Sequence, residues 1–197
     1  MIIVAVCLLA ALLVPVLGGS FLKLRHTKIY DPEVLIASFV VQVVAIGLIP
    51  ASAPEGIGAS IHLASYALAL WFVYANRRLA GVWVVAFGGL LNLAPIVANH
   101  GVMPASPAAV ARAGLDDAHG FENSAPVEHA RLQALGDAYA VPSSVPLANV
   151  FSIGDVVLGV GCALILWQGT GVIFFRLRQR KTAAPTPTVF EGISVRL

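Results

Sequence analysis

The sequence predicts an all-α membrane protein, a polytopic bundle of five transmembrane helices with one long outer segment that contains short helices. Hydrophobic residues make up 58% of the chain and charged residues only 11%, whereas a soluble domain usually carries about 25% charged residues. Five stretches lack Asp, Glu, Lys and Arg over a length that approaches or reaches the roughly 20 residues a spanning helix needs. The basic residues between these stretches fall mostly on one side.

The five predicted spans are continuous apolar stretches separated by charged or helix-breaking residues. A bilayer admits helices and closed barrels, and these stretches do not alternate as barrel strands do. The first stretch lacks the basic N-terminal region of a signal peptide, so we expect it to be retained as a helix. The spans cover about residues 1–20, 34–52, 57–76, 79–98 and 155–175.

The distribution of charge predicts the orientation of the bundle. Ten of the twelve Lys and Arg residues lie after the first span, between the third and fourth, or after the fifth. The positive-inside rule places these segments in the cytoplasm. We therefore expect a multi-pass protein of the plasma membrane with its N-terminus outside and its C-terminus in the cytoplasm. In this interpretation residues 1–176 form a single transmembrane bundle domain, and residues 177–197 form a disordered cytoplasmic tail.

The outer segment, residues 99–152, carries local signals for two short helices. Ser106 and Pro107 open an Ala-rich stretch that ends at Gly114, which is the order of residues expected for a capped helix. The stretch from Ser124 to Gly136 has the same kind of beginning and end. Two short amphipathic helices over the mouth of the bundle are therefore predicted.

Composition also limits the partners of the protein. A net charge of +2, without a basic stripe along a soluble domain, argues against a nucleic-acid partner. Cys7 and Cys162 both lie in apolar stretches and form no Cys/His cluster, so we expect no metal and no cofactor. The expected partners are the lipid bilayer and a lipid or peptide ligand at the outer face. The sequence identifies no protein partner.

One face of the fourth predicted helix is polar or small. Gly88, Asn92, Pro95 and Asn99 follow one another at spacings of four, three and four, which places them on a single helix face. Such a face favours close helix packing and hydrogen bonds between helices. The alternative interpretation is a polar lining beneath the outer segment, in which Asn92 and Asn99 contact a ligand.

Two aspartates are the candidate catalytic residues. Ser152 and Asp155 have the spacing of a capping box, in which both side chains bind free backbone N–H groups at a helix start. Asp155 also borders a long apolar run, and a carboxylate at a membrane boundary is a candidate functional group. Asp137 is either a solvated loop residue or, folded back over the bundle, the second member of a carboxylate pair.

Four motifs resemble those of DUF5317, a functionally uncharacterised family of bacterial membrane proteins. They are Asn99-His100-Gly101-Val102-Met103-Pro104, His129, Leu135-Gly136-Asp137 and Phe151-Ser152-Ile153-Gly154-Asp155. The sequence differs from the family at His100, where glycine is usual, and this difference weakens the argument that the turn needs a left-handed residue there. The resemblance extends from Met1 to about Arg176, implies the same architecture and names no activity. Together with the polar face, it marks these candidate ligand-binding residues: Asn92, Asn99, Met103, Pro104, His129 and Ser152.

Three functions remain open at this point. The first is binding of a lipid, peptide or partner at the extracytoplasmic face, which needs no chemistry. The second is an intramembrane aspartyl hydrolase, because the order of Asn92, Asp137 and Asp155 is loosely similar to that of lipoprotein signal peptidases, and two carboxylates that share a proton can activate water. The third is a small transporter, which the shortage of charged residues at mid-depth disfavours.

Overall fold

A computed structural model describes residues 2–47, 57–115, 124–146, 148–173 and 175. The predicted tail, residues 177–197, lies outside the described residues. The described chain is mostly helical, with four short strands. The α-helices are α1 (Ile2–Val16), α2 (Pro32–Gly47), α3 (Ile57–Ala75), α4 (Val82–Ala98), α5 (Pro107–Ala113) and α6 (Ile153–Thr170). The strands are β1 (Met103–Pro104), β2 (Ser124–Ala125), β3 (Tyr139–Val141) and β4 (Asn149–Phe151), and 3-10 turns cover Phe21–His26 and Gln133–Leu135.

Each of the five predicted spans overlaps one of the long helices. Among the described residues, α6 is the one helix that is both long and apolar enough to cross a membrane by length and composition. The apolar helical stretches Ile2–Val16, Pro32–Gln42, Leu63–Ala75 and Val82–Ala98 are shorter than that limit. The last part of the second predicted span, residues 48–52, lies outside the described residues.

Helix α6 lies at the centre of the helical packing. Helices α1 and α4 pack against it, and α2 pairs with α3. The Trp167 indole of α6 donates a hydrogen bond to the carbonyl oxygen of Ala10 in α1 at 2.9 Å. The Ser38 hydroxyl of α2 donates to the carbonyl oxygen of Ser65 in α3 at 2.8 Å, and both serines are buried. Hydrogen bonds therefore accompany the apolar packing of α1 against α6 and of α2 against α3.

Glycine sets the distance between α4 and α6. A Cβ atom on Gly88 would lie 2.7 Å from the backbone nitrogen of Leu158, and one on Gly161 would lie 2.6 Å from the backbone nitrogen of Val85. Both values are shorter than any ordinary Cβ contact. Because the obstructing atoms belong to the backbone, the two helices approach this closely only where a side chain is missing.

Of the two short helices predicted between α4 and α6, the structure contains the first and lacks the second. The predicted first helix is confirmed as α5, with Pro107 as its first residue and Gly114 in the left-handed conformation after its end, at φ 68°. The predicted helix from Ser124 to Gly136 is wrong. There, β2 pairs in parallel with β1, and Leu132 adopts a left-handed φ of 54°, which interrupts any helix. Pairing with a distant strand has overridden the local helix signals.

The described part of residues 99–152, called the α4–α6 segment below, is built from two small sheets and α5. Strands β3 and β4 pair antiparallel, with Tyr139 opposite Phe151. Helix α5 packs on this pair through Ala109 and Ala113, which meet Val150 in a small apolar core. The all-α prediction is therefore corrected to a mostly helical fold with two small two-stranded sheets.

The backbone at His100, in the turn after α4, is left-handed. The histidine in place of the family's glycine weakened the sequence argument for such a residue, but His100 has a φ of 56°, followed by Gly101 at φ 98°. The backbone thus takes the conformation that glycine adopts most easily, and here a histidine carries it.

Replacing His100 by glycine should therefore stabilise the protein by up to about 1 kcal/mol, because glycine adopts this conformation without steric cost. The His100 side chain is exposed and makes no hydrogen bond within the described residues, so little is lost with it. Thermal unfolding of the solubilised protein measures the change. Ala94→Gly, on an exposed helical position of α4, is the control and should cost about 0.5–1 kcal/mol. A lower melting temperature for His100→Gly would contradict the argument.

Candidate functional site

Three of the predicted site residues meet where α6 begins. The amide nitrogen of Asn92 donates to Oδ1 of Asp155 at 2.7 Å, and the Ser152 hydroxyl donates to Oδ1 of Asn92 at 2.8 Å. The backbone nitrogen of Ser152 donates to Oδ2 of Asp155 at 3.1 Å, and that of Asp155 donates to Oγ of Ser152 at 3.1 Å. The four bonds form one network that joins α4 to the start of α6.

This network confirms the capping-box interpretation of Ser152 and Asp155. The two residues satisfy each other's backbone N–H groups, as the motif requires. Asn92 extends the box, because it binds both side chains at once. Ser152 is fully buried and Asn92 is 9% exposed. Gly154 makes room for the amide, since a Cβ there would lie 1.9 Å from Oδ1 of Asn92. Both oxygens of Asp155 therefore accept hydrogen bonds from this chain.

Asn99 holds the α4–α6 segment to the end of α4. Its amide nitrogen donates to the carbonyl oxygens of Pro95 and Arg131 at 2.7 and 2.8 Å, and its Oδ1 accepts from the backbone nitrogen of Arg131 at 2.9 Å. The side chain is buried. All of these partners are backbone groups, so the geometry favours the packing interpretation of the polar face of α4.

Asp137 lies inside the α4–α6 segment. Its backbone nitrogen donates to the carbonyl oxygen of Pro104 at 2.9 Å, and its carbonyl oxygen accepts from the nitrogen of Ser106 at 3.0 Å. The Ser124 hydroxyl donates to its carboxylate. The solvated-loop alternative is therefore wrong, because Asp137 is only 8% exposed. Burial raises the pKa of Asp137 to about 6, against the opposing effect of the Ser124 hydrogen bond.

The two candidate catalytic carboxylates each have their own partners. Asp155 binds Asn92 and Ser152, whereas Asp137 binds Ser124, and no hydrogen bond joins the two aspartates within the described residues. The negative charge of Asp155 nevertheless contributes to the raised pKa of Asp137. Asp137 and Asp155 thus interact through their charges, and no hydrogen bond between them holds a shared proton.

Met103, Pro104 and His129 are not part of the hydrogen-bond network of Asn92, Ser152 and Asp155. Met103 and Pro104 are buried in the parallel ribbon, where Gly136 approaches so closely that a Cβ would lie 2.1 Å from the carbonyl oxygen of Pro104. His129 is exposed and has a left-handed φ of 53°. These three residues therefore shape the α4–α6 segment, and no hydrogen bond among the described residues joins their side chains to Asn92 or Asp155.

Concave surface occurs at the opposite end of the bundle. One hollow lies beside the turn between α3 and α4, and a second lies where α6 ends. Basic side chains line both, among them Lys28 and Arg78 in the first and Lys23 in the second. In the sequence, the charges of these residues were interpreted through the orientation of the helices. Asn76, a buried polar residue directly before the Arg77-Arg78 pair, was a signal that could have marked the first hollow.

The fold and the site together define a mostly helical protein in which buried amides and carboxylates hold a compact segment between two closely packed helices. Residues 26–167 match the profile of DUF5317, a family of unknown function. The chain therefore belongs to the DUF5317 family, as its motifs indicated. Comparison with curated proteins and with solved structures finds no match.

Proposed function

We propose that the chain is a multi-pass protein of the plasma membrane, with α1, α2, α3, α4 and α6 as its spans. The support is the apolar surface of these helices, since water-soluble monomers rarely expose large apolar patches. The unusually exposed side chains include Leu12 (72%), Phe39 (66%), Phe87 (57%) and Val97 (56%). Such side chains find favourable surroundings in lipid, and the low fraction of charged residues agrees with this placement.

The proposed orientation puts the α4–α6 segment outside the cell. Ser144→Cys, at an exposed position of that segment, should react with a membrane-impermeant maleimide on intact cells. Ala80→Cys, at an exposed position of the α3–α4 turn, should react only after permeabilisation. The unsubstituted chain, with Cys7 and Cys162, supplies the background. The reverse labelling pattern would mean that every helix has the opposite orientation in the membrane.

We infer further that the protein binds a lipid, peptide or partner protein at this outer face. The observation that carries the inference is the hydrogen bonding of Asp155 within the chain. Both of its carboxylate oxygens accept hydrogen bonds from groups that also hold the helices together. A carboxylate fixed in this way holds the start of α6 against α4 and so keeps the outer surface above them rigid. That surface exposes the ring of Tyr139, which stacks on Phe151 at a centroid distance of 5.5 Å.

An intramembrane aspartyl hydrolase is the second candidate. Its support is the buried Asp137, whose pKa is raised to about 6 while the charge of Asp155 acts on it. Asp137 and Asp155 would be the acid and the base of such a reaction. Water would then have to reach both carboxylates at once.

Complementation of a deletion strain separates the two candidates. The binding proposal expects Asp155→Asn and Asp137→Asn to restore the phenotype, because neither carboxylate has to gain or lose a proton, although Asp155→Asn keeps only one of the two oxygens that accept hydrogen bonds in the capping box. It expects Tyr139→Ser to fail at normal protein level, since the exposed aromatic pair is lost. Val145→Ser, at an exposed apolar position of the same segment outside the stacked pair, is the control.

The hydrolase predicts the opposite pattern. Each Asp→Asn variant should then lose activity by orders of magnitude, and the double variant should lose little more, because residues that act as a unit are not additive. Loss of function in both Asp→Asn variants at normal protein level would reject the binding proposal.

A further inference from the structure

The basic end of the bundle contains a hollow that the proposed outer-face function does not use. It lies between the residues before α2 and the turn from α3 to α4, and its volume is about 210 Å³. Its lining residues are Lys28, Tyr30, Ala75, Asn76, Arg77, Arg78 and Leu79.

The two walls of the hollow are fastened to each other by Asn76. The Asn76 amide nitrogen donates to the carbonyl oxygen of Tyr30 at 2.8 Å, and its Oδ1 accepts from the Tyr30 backbone nitrogen at 2.8 Å. A further bond from the amide nitrogen to the carbonyl oxygen of Phe72, at 2.9 Å, fixes the side chain on α3. Asn76 is 2% exposed. The segment that carries Lys28 is thus held against the turn that carries the two arginines.

The cations around the hollow are available to a ligand. Lys28 and Arg78 make no hydrogen bond or ion pair with any described residue. The Arg77 guanidinium lies over the ring of Tyr74, 4.4 Å from its centroid, and donates to the Tyr74 carbonyl oxygen at 2.9 Å. Two acidic residues follow the lining residue Tyr30: Asp31, which accepts a hydrogen bond from the Trp71 indole at 2.9 Å, and Glu33 in the first turn of α2. Positive charge therefore predominates in the hollow.

Exposed aromatic rings lie at the same level as the hollow. Trp71, Tyr74 and Trp83 are 54, 60 and 62% exposed. The Trp83 indole also donates to the carbonyl oxygen of Arg77 at 3.1 Å, which joins the ring to the wall of the hollow. Trp and Tyr collect at the depth of lipid headgroups in membrane proteins. The hollow therefore opens at the depth where phosphate groups of lipids lie.

We propose that this hollow binds the phosphoryl group of an anionic phospholipid in the leaflet that the basic end of the bundle faces. Basic pockets between membrane helices at this depth recognise anionic headgroups. The positive-inside rule accounts for cations on one side of the bundle, but it does not require that a buried amide fix them around one hollow. The proposal rests on the membrane placement proposed above, and it is independent of binding at the outer face.

Lipid-dependent quenching of Trp71 and Trp83 tests the proposal. The full chain is placed in phosphatidylcholine nanodiscs that contain a small fraction of either brominated phosphatidylglycerol or brominated phosphatidylcholine. We expect stronger quenching by the anionic lipid. Lys28→Gln and Arg78→Gln should each lower the relative binding constant for that lipid about fivefold. Lys28→Arg, which keeps the charge, should retain it.

Three outcomes would overturn the proposal. The first is equal quenching by the two lipids. The second is an equal loss of preference in Arg112→Gln, which removes one exposed charge from the α4–α6 segment and so tests for an effect of net charge alone. The third is displacement of the anionic lipid by millimolar inorganic phosphate, which would assign the hollow to the free anion. None of these outcomes depends on the complementation test of the outer face, so the two proposals fail separately.

Discussion

Replacing Gly88 by alanine is expected to lower the melting temperature by several degrees or to prevent folding. The added Cβ would lie 2.7 Å from the backbone nitrogen of Leu158 and 2.9 Å from the carbonyl oxygen of Gly154. Neither atom can rotate away, so α4 and α6 must separate. Overpacking of this kind costs typically 1–3 kcal/mol, and more where the backbone itself has to move. Separation would also lengthen the Asn92–Asp155 hydrogen bond one turn further along α4.

The neighbouring glycine supplies a matched control. A Cβ on Gly89 would meet nothing within 4 Å. Gly89→Ala should therefore be neutral or should stabilise α4 by about 0.5–1 kcal/mol, because alanine loses less conformational freedom in a helix. Thermal unfolding of both variants in the same detergent measures the contrast. Equal melting temperatures for Gly88→Ala and Gly89→Ala would mean that the two helices are not packed through Gly88.

The helices and the polar face of α4 could be predicted from the sequence because their signals are local. A long apolar stretch determines a helix without reference to distant residues, and a spacing of three and four determines its face. Gly88, Asn92, Pro95 and Asn99 are all buried on that face. The capping box of Ser152 and Asp155 was equally local, since it depends on residues three apart.

The parts that could not be predicted depend on contacts between distant residues. Ser124 has the local signal of a helix start, yet its hydroxyl donates to Asp137 and its strand pairs with Met103 and Pro104. The burial of Asp137 follows from the same pairing, which periodicity does not encode. Asn92 was marked as a candidate ligand residue, but its partners on α6 are 60 and 63 residues away. Single-sequence patterns cannot pair residues at such separations.

The basic hollow also depends on a contact between distant residues, and the sequence did not predict it. Lys28, Arg77 and Arg78 were interpreted through their side of the membrane, because the positive-inside rule considers charge without geometry. Asn76 brings Lys28 to the arginines through the backbone of Tyr30, 46 residues away, and the Trp71–Asp31 hydrogen bond joins the same two segments. The separation explains why a site of this kind is invisible to motif searches.

Asn76→Ala is therefore expected to lower both the stability of the protein and its preference for anionic lipid. The variant removes three hydrogen bonds from a side chain that is 2% exposed. At about 1 kcal/mol for each bond, the loss is roughly 3 kcal/mol. For a chain of this size it corresponds to a fall in melting temperature of about 5–10 °C. Gln133→Ala, which removes an exposed amide, should change stability by less than about 0.5 kcal/mol.

The same variant separates a hollow with fixed walls from a simple excess of positive charge. Asn76→Ala keeps Lys28, Arg77 and Arg78 but frees the Tyr30 backbone from α3, so the preference for anionic lipid in the quenching measurement should fall although no charge is lost. The measurement is made well below the melting temperature of the variant, where the helical circular dichroism of the folded protein is retained. A folded Asn76→Ala protein with an unchanged lipid preference would show that the cations act through charge alone, because binding that needs their fixed arrangement cannot survive the loss of the residue that fixes it.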